Sequence, residues 1–358
     1  MSTVTAPAQT YHHFIQARVR QRKLRTVLIT VALLAAMYAG LVSGSYEIQF
    51  VRVMASMFAA PLSSDMATQY YIVTELRLPR VLMTAMVGAM LAMSGCAMQG
   101  LVRNPLADPG LIGIAGGAAA AAAVSMAVLP PFIPALASVW VAAWAFGGAL
   151  LAVWLVVRFA STPGGMSVAS LILAGVAINA LSGTIIGAVS YVASDDALRQ
   201  ITYWTMGSMA GAQWQVVGVI VAAGVLATAG LMACRQALNL LALGESDAAY
   251  MGLNVTRYKQ AILWLVAFSV AIATALCGII SFVGLVVPHI CRSLFGVEHR
   301  FLLPVCGLMG ALLLVIADTL SRALFPPMEI PIGIVTSAIG APFFLYLLWQ
   351  QKGRLGFV

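Results

Sequence analysis

Few residues in this chain are of a type and spacing that could do chemistry, and most chemistries are excluded. The four histidines are His12, His13, His289 and His299. No HExxH or GxSxG pattern occurs, so neither a zinc-protease helix nor a nucleophile elbow is encoded. A prosthetic group held within apolar helices would need facing His ligands. Only His289, just after Pro288, is placed for that, and structural hydrogen bonding is its expected role. The lysines are Lys23, Lys259 and Lys352; none follows a glycine, so no phosphate-binding Gly-Lys-Ser/Thr loop is present. Cys96, Cys234, Cys277, Cys291 and Cys306 lie in or beside apolar runs without metal-ligand spacing and read as small buried hydrophobes. No catalytic residue, bound metal or cofactor is expected.

One polar stretch stands out, Asn239 to Asn254, reading NLLALGESDAAYMGLN between two long apolar runs. It is too polar for lipid. Gly244, Glu245, Ser246 and Asp247 suit a helix start, with acids at the positive dipole end. Ala248, Ala249 and Met251 continue the turn, and Gly252 is placed to end it. Such a short helix is unstable alone in water. It packs on its own protein as an ordinary loop helix, or it fills a groove on a partner.

The elements that hold this stretch follow from composition. Of 358 residues, 62% are hydrophobic and 8% charged, against roughly 25% charged in soluble domains. The expected class is an all-α polytopic membrane protein of ten helices, at 27–45, 79–101, 111–129, 136–158, 168–192, 214–234, 258–276, 278–295, 301–321 and 331–349. Residues 1–26 form a basic tail, 27–349 one membrane domain and 350–358 a short tail. The net charge of +8 is no nucleic-acid signal, because Arg18, Arg20, Arg22, Lys23 and Arg25 cluster just before the first apolar run. That cluster orients a membrane protein and puts both termini in the cytoplasm. Five of the 19 Lys and Arg (Arg52, Arg77, Arg80, Arg199, Arg322) then lie outside, leaving 14 inside, and residues 239–254 face the cytoplasm.

The segments expected outside are 46–78, 193–213 and 322–330. Tyr46 to Ala60 reads as an interfacial amphipathic helix. Ser194 is a cap for a second helix running toward Met209, with two acids in its first turn. Gly95 precedes Pro105, and Gly278 precedes Pro288, by the same ten residues. Matched interruptions in segments of opposite direction suggest inverted repeats. An ion-coupled carrier is the competing class, but it normally holds ionisable groups within its spans. Here Asp318, near Arg322, is the only acid well inside one.

Four blocks resemble the binding-protein-dependent permeases for vitamin B12, iron-siderophores and haem. They are RLPRVLMTAMVGAMLAMSGCAMQGLVRNPLADPGLIGIAGG from Arg77, LALGESDAAYMGLNV, SFVGLVVPHICRSLFGVEHRFLLP and EIPIGIVTSAIGAPFFLYLL. The resemblance implies a type II ABC importer of the bacterial inner membrane. Its expected partners are a second copy of this chain in a homodimer, two cytoplasmic ATPase subunits that use ATP and Mg, and a periplasmic binding protein. It makes residues 244–252 a coupling helix that seats on the ATPase, with Glu245 and Asp247 pairing to basic groups there. Arg77, Arg80 and Arg322 resemble cations that dock acids of the binding protein, headgroup anchoring being the alternative. The pathway wall is expected on the fifth helix at Gly175, Asn179, Ser182, Gly183 and Ile186. Close helix packing through small residues is the alternative there. The cytoplasmic gate is expected at Val168 and Ala169, an apolar pair suited to a dewetted constriction. The TYWTMGSMAGAQW stretch at 202–214, with NPLADPGLIG, resembles haem permeases more than siderophore ones. Haem is therefore the expected cargo, then siderophore or cobalamin.

Overall fold

The computed structural model describes residues 6–44, 46, 48, 64–162 and 165–352. The helices are α1 (Ala6–Val42), α2 (Ser64–Tyr71), α3 (Leu78–Val102), α4 (Ile114–Ala127), α5 (Ala137–Ala160), α6 (Val168–Val192), α7 (Asp195–Thr205), α8 (Trp214–Ala233), α9 (Arg235–Leu243), α10 (Glu245–Tyr250), α11 (Val255–Cys277), α12 (Val283–Phe295), α13 (His299–Ala323) and α14 (Ile332–Lys352). Seven described helical stretches are long and apolar enough to cross a membrane. Three shorter apolar helices, α4, α12 and α14, complete the expected ten. β1 (Ser161–Thr162) and β2 (Gly165–Met166), a two-residue antiparallel pair, are the only strands among the described residues.

The bundle is built around α3, which packs on α8, α11, α12 and α13. Glycines set how closely these helices cross, since lipid gives apolar side chains little reason to associate and backbone contact must do so. A Cβ on Gly95 would lie 1.9 Å from the Gly284 carbonyl oxygen, and one on Gly88 would lie 2.3 Å from that of Gly310. Both crossings therefore require glycine.

Two expectations need correction. Residues 6–26 are not a separate tail but the first turns of α1, continuous with the first span. Arg22 there lies 3.7 Å from Glu298, and Arg25 donates to the Leu294 carbonyl, so the basic cluster is partly tied to the α12–α13 turn. The Gly–Pro spacing also fails to mark equivalent breaks. Helix α3 runs unbroken through Gly95, whereas Gly278 ends α11 at φ +71°. The true interruptions are residues 103–113 and 278–282, one in each half of the chain. They meet beside Leu91, midway along α3 and roughly 16 Å of helix from Val102. Asp108 lines the small cavity between them and accepts from the Gly110 amide. The proposed interfacial helix at 46–60 lies outside the described residues except at Tyr46 and Ile48.

Candidate functional site

The polar stretch at 239–254 is a compact helical elbow. Helix α9 buries Ala237, Leu238 and Leu241 and leaves its other face to water. Asn239 Oδ1 lies 2.9 Å from both the backbone nitrogen and Nδ1 of His299, so it caps α13 and selects the Nδ1–H tautomer. Gly244, at φ +135°, turns the chain into α10. Helix α10 closes as expected: the Gly252 amide donates to Ala249 and the Leu253 amide to Ala248, a Schellman pair around Gly252 at φ +85°. Ala248 is buried, while Ser246, Asp247, Ala249, Tyr250 and Met251 face out. Tyr250 is 90% exposed and Met251 62%. Large apolar side chains that exposed, on so short a helix, suit insertion into a complementary surface.

Glu245 is half-exposed and tied inward: its Oε1 lies 2.8 Å from Lys259 Nζ, whereas Asp247 is exposed. Lys259 is 2% exposed, the start of the second turn of α11 carrying it beneath α10. A buried ammonium needs compensation, and a second donor reaches the Met166 carbonyl at 2.5 Å. Met166 ends the β1–β2 pair. Next come Ser167, whose hydroxyl oxygen caps α6 by accepting from the Ser170 amide at 3.4 Å, and then Val168 and Ala169 at the start of α6. Val168 is half-buried and Ala169 exposed. Sequence reasoning missed Lys259. The only signal was a lone lysine one turn into a long apolar run.

Helix α6 has its expected ends, but the five candidate pathway residues divide between two faces. Gly175, Asn179, Ser182 and Ile186 turn into the subunit. A Cβ on Gly175 would lie 2.0 Å from the Leu111 carbonyl oxygen. Asn179 donates to the Gly110 carbonyl at 3.1 Å, Ser182 is buried, and Ile186 packs with Ala123, Val189 and Ile201. Their role is to seat the 103–113 segment and α4. Gly183 instead lies on the open face with Val176, Ala180 and Gly187. Close packing through a small residue is seen at Gly175, whereas a Cβ on Gly183 or Gly187 would meet nothing within 4 Å.

The three arginines also turn inward. Arg77 donates to the carbonyls of Leu41, Val42 and Tyr46 at 2.9, 2.6 and 2.9 Å. Arg322 donates to those of Gly40 and Ser43 at 3.0 and 3.2 Å. Together they satisfy the last carbonyls of α1, which its own backbone leaves unpaired. Asp318, 2% exposed, lies 3.0 Å from Arg80 Nη2 and 3.4 Å from Arg322 Nε, and Arg80 also reaches Glu329 at 2.9 Å. Arg77, Arg80 and Arg322, expected to meet acids of a binding protein, therefore have most of their donors engaged within the subunit, Arg322 Nε being without a hydrogen-bond partner. Arg199, on α7, has its side chain in the open. Helix α7 is capped as expected, Ser194 accepting from the Ala197 amide at 3.4 Å.

Ten apolar helices among the described residues, joined to one short polar helix, define a multi-pass membrane protein. Residues 31–350 match the FecCD transport family, and the chain belongs to that family of ABC importer permeases. It is 45% identical over 287 residues to the hemin transport system permease protein HmuU of Yersinia pestis, covering 79% of this chain and 84% of that one. It is 36% identical over 342 residues to the vitamin B12 import system permease protein BtuC of Vibrio vulnificus, covering 94% and 97%. Among solved structures, a metal-chelate type ABC transporter in an inward-facing conformation matches with a TM-score of 0.81 at 28% identity, over 92% of this chain and 99% of that one.

Proposed function

We propose that this chain is the permease subunit of a haem importer in the bacterial inner membrane. Two copies form the conduit, and separate ATPase subunits drive it through α10. The exposed Tyr250 and Met251 beside a helix held by Glu245–Lys259, with the preceding α9 held by Asn239–His299, carry the coupling reading. A rigid knob transmits force where a flexible loop would absorb it. Both termini and α10 face the cytoplasm, consistent with the excess of basic residues on that side. The conduit wall is assigned to the open face of α6, with Val168 and Ala169 as the gate at its start. A periplasmic binding protein docks at the α7 end, where Arg199 supplies steering charge.

Haem as cargo is supported by the 45% identity to a hemin permease, against 40% for a cobalamin permease and 36% for a vitamin B12 permease. The test is uptake by proteoliposomes holding the assembled transporter and its binding protein. Haem, a ferric siderophore and cobalamin are offered separately with ATP inside. ATP-dependent accumulation of haem alone is expected. Accumulation of cobalamin or siderophore in its place would reassign the cargo and leave the coupling reading intact.

A further inference from the structure

We propose that Lys259 is a positioning residue for transport: a strut that makes α10 and the gate hairpin move as one body. The inference rests on the reading of α10 as the coupling helix and of Val168–Ala169 as the gate, and adds the part that joins them. Lys259 is 2% exposed and lies between two elements distant in sequence. On one side its Nζ holds Glu245, the first residue of α10, at 2.8 Å. On the other it holds the carbonyl of Met166, two residues before Val168, at 2.5 Å. Among the described residues the hairpin is also held by the Ser167 amide donating to Ala160, by the β1–β2 pairing and by the Met166 side chain, which is buried in the core.

Apolar packing lets helices slide, whereas charge-assisted hydrogen bonds fix both distance and direction. Displacement of α10 therefore reaches the start of α6 through one ammonium. Two hydrogen bonds and the Ser167 cap complete that path, without the whole bundle having to deform. A lysine suits the position because its three donors can hold a carboxylate and a carbonyl in different directions. A methionine fills the same volume and holds neither.

The test uses the complete transporter, this chain assembled with its ATPase subunits. Ala169→Cys provides a reporter. The five native cysteines are all buried, so maleimide reads the new site. In the otherwise unaltered chain, trapping with ATP and vanadate should change the labelling rate by about fivefold, the size of a typical coupling between distant sites. Adding Lys259→Met should abolish that change while ATP hydrolysis and co-purification of the ATPase subunits persist. Lys259→Arg should keep most of it. Should Lys259→Met fail to assemble, Glu245→Gln, altered at a half-exposed carboxylate, must weaken the response per assembled complex. A reporter equally nucleotide-sensitive with Lys259→Met or Glu245→Gln overturns the strut and leaves the gate standing. A reporter insensitive to nucleotide in the parent overturns both.

Discussion

Replacing Asp318 with Asn separates the structural account of the buried arginines from a docking account. The carboxylate is 2% exposed, with Arg80 Nη2 at 3.0 Å and Arg322 Nε at 3.4 Å. The second contact is electrostatic rather than a directed hydrogen bond, since Arg322 Nε has no hydrogen-bond partner. Breaking a buried ion pair by removing one partner costs about 3–5 kcal/mol, because the other charge stays buried. Arg80 keeps Glu329 at 2.9 Å, a partner 46% exposed and hence partly screened. Arg322 keeps two carbonyls. The lower end, about 3 kcal/mol, is therefore expected, and melting in detergent should fall by roughly 4 °C. Arg322→Ala should destabilise similarly and loosen the end of α1. Both losses should appear with the purified permease alone, without any binding protein. Unchanged melting of both variants, with binding-protein affinity lost, would refute the structural assignment and restore the docking one.

Other consequences are as specific. Gly95→Ala puts a methyl 1.9 Å from the Gly284 carbonyl oxygen, so α3 and α12 must separate and folded yield in detergent should collapse. Normal yield would show that the crossing is looser than described. Gly252→Ala meets no atom within 4 Å but forces alanine to φ +85°, costing about 1 kcal/mol locally. Global melting should hardly move, while ATP-driven uptake falls because α10 frays; unaltered uptake would deny α10 its rigidity. Tyr46 donates to Asp65 at 2.5 Å, and this hydrogen bond raises the tyrosine's pKa. The contact's contribution is thus present at neutral pH and is lost only as pH rises past the unfolded value of about 10 and through the folded one. Asp65→Asn should lower one tyrosine midpoint in ultraviolet titration; no difference would remove the contact.

What could be read from the sequence was set by periodicity and punctuation. Helix α6 runs from Val168 to Val192 as expected, because an uninterrupted apolar run begins just after a capping serine. The Gly244 turn and the Gly252 stop were legible because each needs positive φ. Which face of α6 looks inward was not, since small residues occupy both faces and only the approach of Leu111 and Gly110 distinguishes them. Charge counting placed Arg77, Arg80 and Arg322 at one end. It could not find their partners, which are mostly backbone carbonyls of α1 and a carboxylate more than 200 residues away from Arg80. Lys259 escaped for the same reason, because Met166 is 93 residues distant in sequence.

The central claim is that α10 delivers the energy of a separate ATPase to this bundle. A photo-activatable phenylalanine analogue at position 250, whose side chain on α10 is 90% exposed, tests it in the assembled transporter. Irradiation of inside-out vesicles should join this chain to the ATPase subunit. Capture of the periplasmic binding protein instead, or no adduct with a complex shown to be intact, would contradict the account.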